Sequence, residues 1–496
     1  MKTLNSRTAP KRKAPERIVQ FGEGNFLRCF VDWIIQKMND CTDFNSSVVV
    51  VQPIERGMVD WLNGQDCMYH VNLQGRLSGE VVNSIDRIDC ISRAINPYSQ
   101  NRAFLALAEQ PELRFVISNT TEAGITFDPT CHLADTPASS YPGKLTQLLY
   151  HRYRTFNGAA DKGLIIMPCE LIFLNGHHLK ECIQQYISLW RNDLGADYEG
   201  FSRWFETSCH VCATLVDRIV PGFPRKEITD IWKRISYEDN LVVQGEAFHL
   251  WVIEHPDNMT AEELKAEFPA AKAGLNVMIV DSEEPYHERK VTLLNGPHTV
   301  LSPVAYLSGI DIVRDALQDP VIGQFIHRVQ IDELMHTLNL PEDQLRQFAE
   351  DVLERFNNPY VDHQVTSIML NAFPKYATRD LPGLKTYLNR YRHLPQCLVM
   401  GLAAIVEYYK GGTRADGAPI TPNDAPETVE LLHNLWATGN ITHVARGVLA
   451  ADMVWHEDLN QIPGLTDMLA YDLNLIETKG MKAAVASVME KIEQSK

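Results

Sequence analysis

The sequence predicts an N-terminal α/β domain built on a parallel sheet, followed by a mainly α-helical C-terminal domain. Three observations carry that prediction. Short apolar runs alternate with helix-like stretches in the first half, the pattern of a sheet covered on both faces. A glycine-bearing turn separates the first run from the first helix. From about Glu283 onward the periodicity is mostly helical.

Taken in order, Ile18-Val19-Gln20-Phe21 reads as a short buried strand. Leu27, Phe30, Val31, Ile34, Ile35 and Met38 then fall on one helical stripe. Val48–Val51 is a β-branched run and reads as a second buried strand. Phe115-Val116-Ile117 and Leu164–Met167 repeat the signal, and Leu275–Val280 is the last strand-like run. Thr260-x-x-Glu263 and Asp424-x-x-Glu427 read as capping boxes at helix starts. Gly411–Glu427, with three Gly and three Pro, reads as a loop. The expected division is residues 1–280 and 281–496.

A chain of 496 residues, 45% hydrophobic and 22% charged, has ample material for a large core. Its net charge of −17 argues against bulk nucleic-acid binding. The uncharged run Cys397–Val406 is too short to span a bilayer. No apolar segment follows the basic N-terminal residues, so no secretory signal is read there. Ten scattered cysteines suit a reducing compartment. The expectation is a soluble cytoplasmic enzyme with a small-molecule substrate and no nucleic-acid or membrane partner.

The strand Ile18–Phe21 runs into Gly22-Glu-Gly24-Asn25-Phe26-Leu27-Arg28 and directly into a helix. Glycine allows a tight turn and close approach to a pyrophosphate, and a helix N-terminus supplies N–H donors. Leu27 stands where a third glycine would complete the dinucleotide fingerprint. The reading is a Rossmann-like nucleotide site; an ordinary βα turn is the alternative. Phe21, Gly22, Gly24, Asn25 and Phe26 are its candidates, with Arg28 as a cation for phosphate. Gln52, closing the second strand ahead of Pro53 and Glu55, leaves NAD against NADP open. Asn119, Thr120, Thr121 and Glu122 follow the strand Phe115–Ile117, at the edge where such ligands sit, or else form a plain polar turn.

Lys290-Val-Thr-Leu-Leu-Asn295-Gly-Pro-His298 carries the chemistry. At about 100° per residue its amine, amide and imidazole fall on one side of a helix. Pro297 removes a backbone donor and disturbs the ladder near Leu293. A solvated lysine beside two core polar residues is the plainer alternative. Tyr286-x-x-x-Lys290 imitates the Tyr/Lys pair of short-chain dehydrogenases, but the chain is much longer than that family's. Cys209-His-Val-Cys212 lacks a second ligand pair for zinc and reads as two buried thiols; His177-His178, in a probable loop, is likewise unsupported as a metal site.

Together these segments resemble the mannitol dehydrogenase family, the polyol-specific long-chain dehydrogenases, over nearly the whole chain. The resemblance rests on Gln20-Phe-Gly-Glu-Gly-Asn-Phe26, Cys169-Glu-Leu-Ile-Phe-Leu-Asn175-Gly176, Val216-Asp217-Arg218-Ile219, Lys290-x4-Asn295-x2-His298, Arg355-Phe-Asn-Asn-Pro359 and Trp455-His-Glu-Asp458. It implies metal-independent hydride transfer with NAD. Lys290 would be the general acid/base, Asn175 and Asn295 the amide pair polarising the carbonyl, and His298 the residue orienting substrate. Asp217 would support substrate or the lysine, and Arg218 is a further candidate for holding the substrate. The opening and the Val48–Glu55 and Phe115–Gly124 segments are most similar to members acting on hexuronates; other polyol substrates, or a non-catalytic sensor, are the alternatives. Mannitol-type members carry an arginine where Ser367 aligns, so Lys375 and Arg379 become the candidates for a substrate carboxylate, unless they form a solvated basic turn.

Overall fold

The computed structural model describes residues 1–414 and 416–494. The chain divides into two compact units: Met1–Gln74 with Val81–Tyr286, and Gly75–Glu80 with His287 onward.

The first unit holds a six-stranded sheet of β1 (Glu16–Phe21), β2 (Ser47–Val51), β3 (Ile91–Ile95), β4 (Phe115–Ser118), β5 (Ile165–Pro168) and β6 (His210–Val211). All neighbours are parallel, in the order β3-β2-β1-β4-β5-β6. The order reverses between β1 and β4, and α/β ligands bind at such a switch point. Side chains alternate across the sheet. Ile18, Val48, Val50, Ile117, Ile165 and Met167 enter one apolar layer. Val19, Phe21, Val49, Val51, Val116 and Ile166 enter the other. Both layers are covered, which is why the strands are apolar throughout. Helices α1 (Asn25–Cys29) and α2 (Val31–Cys41) follow β1, and α2 closes the first layer through Ile34, Ile35 and Met38. The expected single stripe is thus broken at Phe30, which ends one helix and starts the next. Helices α3 (Tyr141–Thr155) and α4 (Asn175–Leu189) close the second layer.

Strand β3 is absent from the sequence reading. It is an edge strand, Ile-Ser-Arg-Ala-Ile, whose Ser92 and Arg93 turn outward and bond Glu16. The Leu275–Val280 run forms a shorter strand in a separate sheet. There β7 (Ala213–Asp217) pairs antiparallel with β8 (Leu250–Glu254), and β8 pairs parallel with β9 (Val277–Val280). Tyr69–Leu77, Glu80–Ile88 and Val243–Glu246 form a third small sheet. Thr260 and Glu263 make the reciprocal bonds of a capping box.

Helix α5 (Glu284–Lys290) leads into the second unit. A π-helical turn (Val291–Asn295) follows, then α6 (Gly296–Leu307), α7 (Glu342–Phe356), α8 (Ala372–Arg379), α9 (Gln396–Tyr408) and α10 (Leu465–Lys479). The apolar run Cys397–Val406 is the buried heart of α9, which packs on α6 and α10. Gly401 permits that closeness: a Cβ there would lie 2.5 Å from Cβ of Val300. No described helix is long and apolar enough to cross a membrane.

One expected cap is corrected. Asp424 makes no cap bond to the helix Pro426–Ala437. Its carboxylate instead accepts the Tyr409 hydroxyl and the Ala425 N–H. The expected loop Gly411–Glu427 contains one two-residue antiparallel pairing, Gly412–Thr413 with Pro419–Ile420. Ala415 in that loop, and Ser495 and Lys496, lie outside the described residues.

Candidate active site

The first unit builds a nucleotide-shaped turn at the end of β1. Gly22 has φ +124°, and a Cβ there would meet the Asn119 carbonyl at 2.8 Å and Leu27 Cδ1 at 2.9 Å. Only glycine suits both the conformation and the crowding. Leu27 is buried against this turn and fills the place of the third glycine. Gly24 caps α1 without any side-chain hydrogen bond, and open space surrounds the position of its absent Cβ. The turn therefore leaves helix N–H groups and room for a pyrophosphate, so the residues fit a dinucleotide.

Beneath the turn lies a network that sequence reasoning missed. Gln20 Nε2 donates to the Gly22 carbonyl at 3.1 Å and to Asp32 Oδ2 at 3.3 Å. Tyr69 Oη donates to the Arg28 carbonyl at 2.8 Å and lies 3.1 Å from Asp32 Oδ2. Burial pushes the Asp32 carboxyl up to about 7. Gln20 and Asp32 sit on apolar stretches, and polar residues there are the readable signal.

Four expected cofactor or substrate contacts are corrected by their geometry. Arg28 is 2% exposed and braces the turn from inside: it donates to the Glu23 and Leu241 carbonyls and to Asn25 Oδ1. Phe21 is buried in the second layer against Phe104 and Tyr141. Gln52 turns its amide onto its own loop, donating to the Ile54 and Glu55 carbonyls and accepting from the Val59 N–H. Arg218 is buried, stacks 4.3 Å over Trp33 and donates to the carbonyls of Cys29, Ala247 and Phe248.

At the end of β4, Asn119 donates to the Cys169 carbonyl. Thr120 donates to Glu170 Oε1 from both its N–H and its hydroxyl, each at 2.9 Å. Ser118 donates to the other carboxylate oxygen at 3.0 Å. Glu170, another residue missed in the sequence, is thus a buried clamp joining the ends of β4 and β5; burial raises its pKa. Thr121 adopts φ +76° and Glu122 is exposed. Asn25 and Phe26 form the first turn of α1, with Phe26 stacked 5.1 Å from Phe30. Asp217 ends β7, buried.

Asn175 is the sharpest correction. It is fully buried at the start of α4. Its Nδ2 donates to the carbonyls of Pro168, Glu170 and Thr214, and its Oδ1 accepts the Thr214 N–H at 2.9 Å. Every donor of that amide is committed to the scaffold, so none remains for a substrate carbonyl. Gly176 beside it permits the close packing: a Cβ would lie 2.1 Å from the Cys212 carbonyl. His177 and His178 lie in the first turns of α4 rather than in a loop.

The second unit presents Lys290, Asn295 and His298 on the π-helical turn and its exit. The Gly296 N–H bonds the Val291 carbonyl, five residues back. Such a widened turn places residues five apart one above the other, so Lys290 and Asn295 share a face. Asn295 is half-buried, and its amide makes no hydrogen bond among the described residues. His298 stacks 3.8 Å from Phe356 and stands edge-on to His363 at 5.3 Å. Its Nε2 is buried without a hydrogen-bond partner among the described residues. Burial, then His363, Arg355 and Arg379, hold its pKa well below the usual histidine value, so the ring is neutral. Phe356 and Arg355 belong to the Arg355–Pro359 segment singled out by resemblance; His363 was missed.

Lys375 and Arg379 lie one turn apart on α8, as expected if that segment is helical. Lys375 Nζ donates to the Ile368 carbonyl at 2.7 Å. Arg379 donates to the Thr299 hydroxyl beside His298, and burial lowers its pKa. Cys209 and Cys212 are buried free thiols; burial pushes Cys209 up to about 12. No group of three or more metal-ligating side chains occurs among the described residues.

A parallel sheet with an open glycine turn at its switch point, and a helical unit bearing an amine, an amide and an imidazole on one turn, define a dinucleotide-dependent dehydrogenase. Residues 16–267 match the mannitol dehydrogenase Rossmann domain and residues 283–477 the mannitol dehydrogenase C-terminal domain; the chain belongs to the mannitol dehydrogenase family. An altronate oxidoreductase of Phocaeicola vulgatus is 69% identical over 489 residues, covering 99% of this chain and 100% of the relative. One of Bacillus subtilis is 44% identical over 473 residues, covering 95% of each. In fold the chain is similar to a substrate-free D-sorbitol dehydrogenase, with TM-score 0.79, 19% identity and coverage of 98% of this chain and 100% of the other. It is also similar to Pseudomonas fluorescens mannitol 2-dehydrogenase, solved with NAD and D-mannitol, with TM-score 0.65, 19% identity and coverage of 99% and 100%.

Proposed function

We propose that this enzyme interconverts altronate and tagaturonate, a CH–OH/carbonyl pair on a hexuronate skeleton, with NAD as its cofactor. Altronate oxidoreductases match it along the full chain at 43–69% identity. The geometric observation that carries the reading is the π-helical turn: Lys290 and Asn295 stacked on one face, with neutral His298 one step on among Arg355, His363 and Arg379.

Bound NAD supplies the hydride acceptor or donor. Gly24, Asn25 and Phe26 would hold its pyrophosphate through backbone N–H groups, Gly22, whose own N–H bonds the Val51 carbonyl, would give the turn its tightness, and Asn119–Glu122 would shape the neighbouring strand-end loop. Lys290 Nζ takes the hydroxyl proton during oxidation and returns it during reduction. Asn295 Nδ2 donates to the same oxygen and stabilises its developing charge. His298 Nε2 bonds an adjacent hydroxyl. Arg379, flanked by Lys375, pairs with the carboxylate that distinguishes a uronate from an uncharged ketose.

The test is NADH and NADPH oxidation with tagaturonate, its epimer fructuronate, and fructose side by side. Tagaturonate with NADH is expected to be the fastest pair; a faster rate with fructuronate or fructose overturns the substrate assignment.

A further inference from the structure

The turn that carries Lys290 and Asn295 is not self-supporting. Pro297 has no N–H to give the Leu293 carbonyl four residues back. That carbonyl instead accepts a hydrogen bond from Gln330 Nε2 at 2.7 Å. Gln330 is fully buried and sits in a second π-helical segment, Arg328–Leu334, which packs against the turn. Its Oε1 has no hydrogen-bond partner among the described residues, so the Leu293 carbonyl is its one hydrogen-bonded anchor there. On another side, Gly296 leaves room for Asp380: a Cβ at 296 would lie 2.8 Å from Asp380 Oδ1. The widened turn is therefore bonded by Gln330 on one side and closely approached by Asp380 on another.

We propose that Gln330 is a positioning residue for catalysis: by donating to the Leu293 carbonyl it holds the π-helical turn in the geometry that stacks Lys290 with Asn295. This inference rests on the proposed roles of those two residues. Gln330 touches no reacting atom; it acts through the turn. A misplacement of about 1 Å can cost on the order of a hundredfold in rate, so loss of this bond has a catalytic reach beyond its own strength.

The experiment compares Gln330→Met, which keeps size but has no donor, with Gln330→Glu, which donates only when protonated. For each, kcat and KM with tagaturonate, NADH affinity by fluorescence and the thermal midpoint are measured. Gln330→Met is expected to lower kcat about ten- to a hundredfold while NADH affinity stays within about twofold. Gln330→Glu is expected to recover activity toward low pH, where the carboxyl carries its proton, and to lose it as pH rises. A wild-type kcat in Gln330→Met, or an equal loss of kcat and NADH affinity, overturns the proposal. Where Gln330→Met fails to fold, Gln330→Glu decides: a pH profile with the wild-type shape overturns the proposal. A Lys290→Ala control separates the levels. Inactive Lys290→Ala beside normal Gln330→Met overturns only the positioning role; active Lys290→Ala overturns the reading beneath it too.

Discussion

The end of β1 and the π-helical turn are both irregular, polar and partly buried, yet their side chains are used in opposite ways. Around Gly22, the side chains of Gln20, Arg28 and Gln52 are bonded to the protein itself, as is Asn175 after β5. What remains open to a ligand there is backbone N–H and empty space at Gly24. At the π-helical turn the backbone is bonded by a neighbour, Gln330, and among the described residues His298 Nε2 has no hydrogen-bond partner. The first region offers a ligand backbone and space; the second offers polar side chains, which is where the proposed chemistry falls. The two asparagines make the contrast concrete: the amide at 175 is bonded four times to the scaffold, and the amide at 295 makes no hydrogen bond among the described residues.

That contrast breaks first at the asparagines. Asn295→Ala should lower kcat on the order of 10²–10³-fold with NADH binding unchanged, the cost of removing one oxyanion donor. Asn175→Ala should instead leave the Thr214 N–H and three carbonyls short of partners, a loss of about 1–3 kcal/mol read as a lower thermal midpoint. Equal kinetic losses in both variants would erase the distinction.

The next largest effect concerns the carboxylate. Arg379→Met should raise KM for tagaturonate about ten- to a hundredfold and leave the slow rate with fructose nearly unchanged, since a charged hydrogen bond is worth roughly 1.5–3 kcal/mol. Lys375→Met should do less, because its amine already serves the Ile368 carbonyl. A uniform loss on both substrates would make α8 structural only.

A pH profile sharpens the second region further. Because burial and the surrounding cations hold His298 neutral, no activity limb near the usual histidine value should arise from it. Removing a limb near pH 6.5 by His298→Asn would contradict a neutral ring. Smallest of all, exhaustive chelation should leave turnover unchanged, since Asn295 supplies the polarisation; revival of a chelated enzyme by zinc would reopen the Cys209/Cys212 pair.

Much of this was legible in the chain. Apolar runs such as Val48–Val51 announce a sheet covered on both faces, and Gly22-x-Gly24 marks a tight turn because φ +124° at Gly22 suits glycine. Pro297 announced the broken ladder at Leu293. Illegible were the long-range commitments. Nothing local says that Arg28 reaches Leu241, 213 residues away, or that Arg218 reaches the Cys29 carbonyl, 189 residues away. A polar residue in a familial motif looks catalytic until its partners are known. Strand β3 was hidden for a simpler reason: an edge strand with polar residues facing out carries a weak apolar signal.

The central claim is that cofactor binding and proton transfer reside in different regions, and Lys290→Ala tests it most directly. NADH affinity by fluorescence titration and single-turnover NADH oxidation with tagaturonate are measured on the same preparation. The account predicts an affinity within about twofold of wild type and a turnover lower by at least about 10²–10⁴-fold. A near-normal turnover, or a parallel collapse of NADH binding, would contradict it.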